Sequence, residues 1–313
     1  MAYWSIGNSK VKDVSFNGCS KLQYYGDVFK NDVDRTNIYG VFRDCLLLKS
    51  IDLSPFSKMT KVTTAGQMFY GCSALASIDL YPLKNLINMT DINMFMSGCV
   101  GLTSIDLTPL SFFKKLTRIG YILSGCSGLT SIDLSPLSEL TNVKDAYSIF
   151  SGCSGLKHID LSPLAALTKT TNIFGLLSGC TGLTSVDLSP LIGLVNVTDA
   201  SSLLYGCSNL ISVIGVPHFE KATNLNYFMY NCSKLTTPLP EFWKWYYGKT
   251  VTKTNCFSGC TSAPNFSDVP TSWGGTAAEY IPPIQVSGVM MADYRALETR
   301  IRNLELQQNM DKN

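Results

Sequence analysis

The stretch GCSGLTSIDLSPL, residues 125–137, decides the fold because close copies of it recur along the chain. The copies begin at Gly98, Gly152 and Gly179, and cysteines mark the same repeat over a longer distance. Seven of the eleven cysteines are 27 residues apart: Cys45, Cys72, Cys99, Cys126, Cys153, Cys180 and Cys207. A fixed period of this length indicates a protein built from stacked repeats.

Each repeat combines a strand pattern with a helical turn. The motif L-x-x-I-x-L alternates at its end and predicts a short strand with one buried face. Ser-Pro or Thr-Pro follows, where the hydroxyl can cap a helical turn and proline suits its first position. Leu137, Leu140 and Val143 then continue at helical spacing. Because one unit cannot bury its apolar face alone, the pattern predicts an α/β repeat solenoid of 27-residue coils with a short parallel sheet.

The pattern resembles the leucine-rich repeats, whose signature contains L-x-x-L-x-L. The asparagine column of that signature is missing, and columns of cysteine and proline stand in its place. Units such as TNVKDAYSIFSGCSGLKHIDLSPL, residues 141–164, are similar to the BspA-type leucine-rich repeats of bacterial and protist surface proteins and of some phage tail proteins. The resemblance covers residues 19–262 and implies a leucine-rich-repeat-like solenoid with a role in adhesion or binding, without naming a ligand.

The composition limits the classes of partner. Hydrophobic residues make up 45% of the 313 residues, enough for a sizeable core, and the net charge is only +2. This charge gives no electrostatic reason to expect nucleic acid or an anionic membrane surface. The chain has no apolar run of about 18 residues, so we expect no membrane insertion. The N-terminus lacks a basic start followed by an apolar stretch, so we expect synthesis in a cytosol without a signal peptide.

The cysteines admit more than one interpretation. Equivalent positions stack in a solenoid, so the repeated cysteines form one column, and the odd total favours buried free thiols over disulfides. Cys256 and Cys260 depart from the period and form a weak metal motif, which no second pair or nearby histidine completes. We therefore predict free thiols and neither a metal nor another cofactor.

An aspartate column is the first candidate binding site, and its members are Asp52, Asp79, Asp106, Asp133, Asp160 and Asp187. Like charges directly across neighbouring strands are destabilising, so the column needs an explanation. Each carboxylate can accept hydrogen bonds from its own turn, which is the interpretation we favour, or the column can form an acidic stripe for a cation or a basic partner. His158, which interrupts the neighbouring serine column, is a candidate on the same face.

Enzymatic chemistry has little support in the sequence. The chain has two histidines, and we find no nucleotide-binding glycine loop, no HExxH motif and no convincing catalytic triad. A row of equivalent carboxylates also lacks the unequal pair of environments that acid–base catalysis requires. We therefore predict that the protein is not an enzyme and has no catalytic residues.

A second candidate site lies at residues 241–249, EFWKWYYGK, where the repeat decays. Its aromatic candidates are Trp243, Trp245, Tyr246 and Tyr247. Large side chains at this position can cap the open end of the core, the interpretation we favour. Exposed aromatic rings could alternatively stack on the apolar faces of sugars.

We divide the chain into an N-terminal cap (1–18), a solenoid that is regular over 45–206 and degenerate over 207–275 (19–275 in all), a linker (276–289) and a C-terminal helix (290–310). The helix carries a heptad stripe formed by Met290, Tyr294, Leu297, Ile301 and Leu304. This stripe predicts a short coiled coil and a homo-oligomer, with a trimer as the expected form. The alternative is a helix that packs back on the solenoid.

A solenoid, a linker and a short coiled coil together are similar to the layout of phage fibre and receptor-binding proteins. This resemblance implies a non-enzymatic virion appendage, a tail or head fibre made in the host cytoplasm, whose partners are other virion proteins and a bacterial surface glycan or protein. One alternative is a bacterial BspA-like adhesion or protein-interaction module at the cell surface or in the cytoplasm. Another is a purely structural virion component.

Overall fold

A computed structural model describes residues 16–19, 29 and 32–282 of the chain. The chain divides into two compact units, Met1–Glu279 and Tyr280–Asn313, and the solenoid is the first of them. The predicted C-terminal helix of residues 290–310, with its heptad stripe, lies outside the described residues, as does most of the predicted N-terminal cap.

Parallel backbone hydrogen bonds join each coil to the next along one side of the solenoid. One residue per coil forms a parallel bridge to its equivalent, and we call these residues the bridge column: Asn37, Thr64, Asp91, Arg118, Asp145, Asn172, Asp199, Asn224 and Thr252. After each bridge residue, further backbone hydrogen bonds join the same two coils, for example from Gln67 N to Asn93 O at 2.9 Å and from Phe69 N to Phe95 O at 2.8 Å. Neighbouring coils are therefore about 4.8 Å apart, the spacing of paired strands.

The strands predicted from L-x-x-I-x-L are confirmed as a short parallel sheet, but a smaller one than the repeat suggests. Strand β1 is Ser185–Asp187 and strand β2 is Ser212–Ile214, and Val186 is in register with Val213. In other coils the L-x-x-I-x-L segments are joined by longer backbone hydrogen bonds, such as that from Thr103 N to Ala76 O at 3.3 Å. The bridge column, rather than the L-x-x-I-x-L motif, is the continuous connection between coils.

The helical turns are 3₁₀ helices rather than α-helices. They are Ser54–Lys58, Tyr81–Asn85, Thr108–Phe112, Ser135–Glu139, Ser162–Ala166, Ser189–Gly193, Phe266–Asp268 and Thr271–Trp273. In the regular coils proline takes an early position, where its missing N–H is not needed. Within the described part of the chain, the one α-helix is α1, Phe242–Trp245.

Two left-handed residues in each regular coil help the backbone to close its circuit. Gly125, just before the cysteine, has φ of 74°, and its equivalents Gly98 and Gly152 have 77° and 74°. Glycine adopts this conformation at no steric cost. Ser148 and Tyr121 occupy a second left-handed position, with φ of 52° and 53°. Residues with a Cβ are strained there, so the ladder of hydrogen bonds must hold them in place.

The core is built from columns of apolar side chains. The rings of Phe42 and Phe69, one coil apart, stack with centroids 5.5 Å from each other, and Phe16 stacks on Phe42 at 5.7 Å. Residues 16–19 already take part in the ladder, because Phe16 N donates to Val41 O at 2.7 Å. The predicted core positions Leu137, Leu140 and Val143 are buried.

The repeated cysteines form a buried column of free thiols. Each thiol donates to a carbonyl of the preceding coil, as Cys126 Sγ does to Met96 O at 3.2 Å and Cys153 Sγ to Leu123 O at 3.1 Å. Burial raises the pKa of Cys153 to about 12, so the neutral thiol that donates this bond persists at physiological pH. Cysteine thus combines a small apolar volume with a weak donor for a buried carbonyl.

Cys260 also belongs to this column, although its spacing of 28 residues from Cys232 breaks the period. Its Sγ donates to Met229 O at 2.9 Å, in the same way as the regular members. The coil that contains α1 is one residue longer than the regular coil of 27, which hides the equivalence in the sequence.

The final coil is fastened by Glu279. Its carboxylate accepts hydrogen bonds from Thr271 Oγ1 at 3.0 Å, from Ser272 N at 2.8 Å and from Ser272 Oγ at 2.6 Å. Pro270 and Ala277 form a parallel bridge beside it. The first residues of the segment assigned to the linker are therefore hydrogen-bonded to the last coil.

Replacing Cys153 with alanine should lower the free energy of unfolding by about 1–2 kcal/mol, because it removes a buried hydrogen bond and leaves a small cavity. The exposed Cys19 provides the matched control, and Cys19→Ala should change stability by less than about 0.5 kcal/mol. Urea unfolding under reducing conditions measures both. Equal effects for the two variants would contradict the packing role of the column.

Candidate functional site

The aspartate column is tied to the backbone of its own coils. In all six members Oδ1 accepts the N–H of the residue two positions later at 2.8 Å, as in Asp52 with Ser54 and Asp160 with Ser162. The hydroxyl of Ser54 also donates to Asp52 Oδ2 at 2.8 Å. The side chain that caps the 3₁₀ helix is therefore the aspartate, and the expectation that the serine or threonine hydroxyl caps it is wrong.

In three members of the column these hydrogen bonds stabilise the charged form of the carboxylate. The pKa of Asp160 and of Asp187 is lowered, first by the hydroxyl and then by the N–H of the serine two positions later, and Asp106 behaves alike with Thr108. The six carboxylates remain exposed to solvent along one face. Their bonding explains how like charges can stack, and a binding role for the column stays a prediction.

His158 is exposed and lies on the same face, two residues before Asp160. Among the described residues, no three His, Cys, Asp or Glu side chains come together in a way that could hold a metal ion. The described residues contain no helix with the length and hydropathy of a membrane-spanning segment.

The aromatic segment of residues 241–249 mixes core and surface residues. Trp243 and Tyr246 are buried, and the Tyr246 hydroxyl donates to Phe219 O at 2.8 Å. Trp245 and Tyr247 are 36% and 54% exposed. Only Trp245 and Tyr247, of these four aromatic residues, are exposed enough to stack on a sugar without a change in packing.

The same segment lies inside the solenoid rather than at its end. The bridge column continues beyond it to Thr252, and the ring of Phe242 packs against Phe228 at 5.1 Å and Phe257 at 5.5 Å. Phe228 precedes the segment in the chain and Phe257 follows it. The segment therefore fills the core between two coils, and its assignment as the end cap is revised.

A third surface surrounds Arg118, and it is not among the sites predicted from the sequence. We call it the Arg118 face, and its residues are Asp91, Asn93, Arg118, Tyr121, Asp145 and Tyr147. Arg118 Nη1 lies 3.0 Å from Asp91 Oδ2 in the preceding coil, and Nε lies 3.9 Å from Asp145 Oδ2 in the following one. The neighbouring Tyr147 and the two carboxylates raise the pKa of Arg118.

Aromatic rings on this face lie across the coils. The Tyr147 hydroxyl donates to Asn93 Oδ1 at 3.0 Å, two coils away, and its ring meets Tyr121 edge to face at 5.1 Å. The coil between them has Gly120, where a Cβ would lie 2.5 Å from Tyr147 Cζ. Glycine is needed there to make room for the tyrosine side chain.

The sequence marks this face by a variable position rather than by a constant one. Two residues after the bridge column, the repeat has no consensus: the residues are Tyr39, Gly66, Asn93, Gly120, Tyr147, Phe174, Ser201 and Asn226. A search for constant positions passes over such a column. A search for variable surface positions in an otherwise regular repeat would have found it.

Comparison with known proteins identifies a family model that matches residues 4–114 and 102–236, in six copies, and is described as the BspA type leucine rich repeat region. None of the curated proteins compared with the chain matches it. Among solved structures, the leucine rich repeat protein TpLRR of T. pallidum is 19% identical, with 62% of this chain and 79% of that chain covered and a TM-score of 0.30.

Two further structures illustrate the range of similar proteins. A leucine-rich repeat protein from Bacteroides ovatus is 17% identical, covers 69% of each chain and has a TM-score of 0.24. The Arabidopsis receptor kinase HAESA, in complex with the peptide hormone IDA and the co-receptor SERK1, is 18% identical over 61% of this chain and 37% of that chain, with a TM-score of 0.29.

Replacing Asp160 with alanine should destabilise the protein at pH 7 and have little effect at low pH. The folded-state pKa of Asp160 is lowered, so its stabilisation is present above the unfolded-state pKa and is lost as the pH falls through the folded-state value. The difference from wild type should shrink below about pH 4. Urea unfolding at several pH values measures it, with Ser185→Ala on the same face as the control. A difference that is constant down to pH 2 would contradict the assignment.

Proposed function

The chain belongs to the BspA-type leucine-rich repeat family, and we propose that it is a non-enzymatic module that binds a protein partner through the Arg118 face. Leucine-rich repeat proteins are in general binding modules rather than enzymes, and they commonly bind proteins. The observation that carries the proposal is the fixed cluster of one arginine and two tyrosines on an otherwise repetitive surface.

Arginine and tyrosine are the residues expected at the centre of a protein interface. Both are enriched among the residues that dominate binding energy, since each combines a large apolar area with hydrogen-bonding groups. The Arg118 side chain is 49% exposed, so it can contact a partner without a rearrangement of the coil. Tyr121 and Tyr147 are partly exposed beside it.

The surrounding residues fix these side chains before a partner arrives. Asp91 and Asp145 hold the guanidinium from the two adjacent coils, and Asn93 holds the Tyr147 hydroxyl. A side chain that is already ordered loses less conformational entropy on binding. The side chains of the cluster are therefore preorganised, which supports a role in recognition.

The same face extends to further aromatic residues in adjoining coils. Tyr39 is 49% exposed, and its ring lies over Gly66, where a Cβ would be 3.0 Å from it. Here the glycine is in the following coil, whereas Gly120 is in the coil that precedes Tyr147. Phe174, one coil beyond Tyr147, is also exposed. The face thus offers a series of rings to a partner that spans several coils.

A peptide selection tests the proposal. A displayed library of random peptides is selected for binding to the immobilised wild-type chain. Most selected peptides should bind the double variant Arg118→Ser/Tyr121→Ser at least about tenfold more weakly, a loss of about 1.4 kcal/mol or more. The matched control is Tyr81→Ser/Lys84→Ser, which removes an exposed cation–aromatic pair from a different face, with Lys84 Nζ 4.1 Å from the Tyr81 ring centroid.

The control variant should retain the selected peptides. Peptides that bind the Arg118→Ser/Tyr121→Ser variant as tightly as wild type, or that lose binding equally in both double variants, would contradict the assignment of the face. Thermal unfolding of each variant, followed by circular dichroism, verifies that the solenoid is intact.

A role as a virion appendage is a more specific proposal. The heptad stripe that motivates it lies outside the described residues. Proteins with BspA-type repeats are often surface proteins, which agrees with display on either a cell or a virion. Binding of a bacterial surface glycan or protein and assembly with other virion proteins are parts of the same proposal.

The mass in solution of the full chain tests the oligomer that this role needs. We expect a trimer for the wild type and a monomer for Leu297→Asp/Ile301→Asp, because charges would disrupt the apolar seam of the coiled coil. Light scattering during size exclusion measures both masses. A monomeric wild type would remove the argument for a fibre and leave the protein-interaction module.

A further inference from the structure

One edge of the solenoid carries a column in which lysine alternates with asparagine. The column lies three residues before the bridge column; it begins with Asp34 and ends with Lys249, and between them its alternating members are Lys61, Asn88, Lys115, Asn142, Lys169, Asn196 and Lys221. The 27-residue repeat alone does not produce this order, because equivalent residues differ in successive coils. The lysines therefore recur at every second coil.

Each of three lysines is held by the asparagine of the preceding coil. Lys115 Nζ donates to Asn88 Oδ1 at 2.7 Å, and the corresponding distance is 2.6 Å for both Lys169 and Lys221. The asparagines are oriented in turn, because each Nδ2 donates to a backbone carbonyl of the coil before it at 2.9 Å. The ammonium groups are thus held in a row along one edge of the solenoid.

The partner of each ammonium group is neutral, so its charge is not cancelled. An amide oxygen accepts the hydrogen bond without the countercharge that a carboxylate would bring. Lys61 shows the contrast, because its Nζ contacts the carboxylate of Asp34 at 2.6 Å. Lys115, Lys169 and Lys221 are all exposed, and so present positive charge to the solvent.

The surrounding residues reinforce this charge. The bridge column beside this edge includes three aspartates, Asp91, Asp145 and Asp199, and the first two of them contact Arg118. The stretches that end just before the bridge residues, taken from the last two residues of each 3₁₀ helix and from the equivalent position before Asn224, carry two acidic residues, Glu139 and Glu220. They carry eight lysines: Lys58, Lys61, Lys84, Lys114, Lys115, Lys144, Lys169 and Lys221. Two of these form ion pairs, Lys61 with Asp34 and Lys114 with Glu139. The edge is therefore cationic, although the whole chain has a net charge of only +2.

The spacing of the row indicates the kind of anion that fits it. Two coils correspond to about 9.6 Å, so the three lysines lie along a line of about 19 Å. Duplex DNA carries a charge about every 1.7 Å of its axis, which is far denser than this row. An extended polysaccharide with one carboxylate per disaccharide presents its charges at intervals close to two coils.

The groups beside the lysines also suit a sugar chain. Asparagine side chains occupy the alternate coils, and a threonine column lies two residues further along, with members such as Thr90, Thr117 and Thr171. Amide and hydroxyl groups can exchange hydrogen bonds with sugar hydroxyls. Ile87 and Val195 on the same edge are more than half exposed and can contact the apolar faces of sugar rings.

We propose that the lysine–asparagine edge binds a linear acidic polysaccharide with one carboxylate per disaccharide, each carboxylate pairing with the ammonium group of a lysine in every second coil. The site uses other residues than the Arg118 face. The polysaccharide site and the protein-binding proposal can therefore fail separately.

Binding of hyaluronan, an unsulfated polymer with this charge spacing, to the full-length chain tests the proposal by biolayer interferometry. The wild type should bind at low ionic strength and weaken steeply as salt is added. Lys115→Gln/Lys169→Gln/Lys221→Gln should bind at least tenfold more weakly. The matching arginine triple variant should retain binding, because it keeps the charges.

The control is Lys49→Gln/Lys157→Gln/Lys234→Gln, three exposed lysines elsewhere on the solenoid, of which Lys234 is likewise held by an asparagine, Asn209, at 2.8 Å. It should bind hyaluronan within twofold of wild type. No wild-type binding at low salt, or an equal loss in both glutamine variants, would overturn the proposal. A thymidine oligonucleotide that binds as tightly, with the same dependence on the three lysines, would overturn it in favour of a general polyanion site. Neutral dextran should not bind.

Discussion

The parallel hydrogen-bond ladder along the bridge column is the constraint on which the rest of the structure depends. It places equivalent residues of successive coils about 4.8 Å apart, so every side chain has its counterpart directly above and below it. For apolar residues this stacking builds the core, and for cysteine it supplies a carbonyl at the right distance. For charged residues it creates a difficulty, because a faithful repeat stacks like charges.

The molecule resolves that difficulty in three ways, which follow from the chemistry of each side chain. Aspartate is short and accepts hydrogen bonds, so Asp160 and its equivalents bind the N–H two residues on within their own coil. Lysine has no acceptor and cannot be satisfied in this way, and from Lys61 to Lys221 a neutral asparagine separates each lysine from the next. Arg118 appears once in its column and takes carboxylates from both neighbours.

The sequence predicts the parts of the fold that repeat, and it fails where a result depends on particular neighbours. The coil length, the buried columns and the aspartate hydrogen bonds all follow from one 27-residue unit. The spacing of Leu137, Leu140 and Val143 predicts a helical turn, and steps of three residues suit a 3₁₀ helix better than an α-helix. The position of Cys260 and the interior packing of Phe242 depend on an insertion in a single coil. Tyr147 over Gly120 depends on the residues of three coils together, which no single repeat unit contains.

Departures from the repeat also differ in what they can recognise. A cluster that occurs once, such as the Arg118 face, gives a partner one position and one orientation, as a folded protein or a defined peptide requires. A departure that is itself periodic, such as the lysine–asparagine edge, offers the same contacts at successive steps of two coils. A polymer with a matching repeat can occupy such a row in several registers, and each register makes the same set of contacts. Affinity then increases with the number of lysines engaged, because each added contact is made by a chain that is already bound.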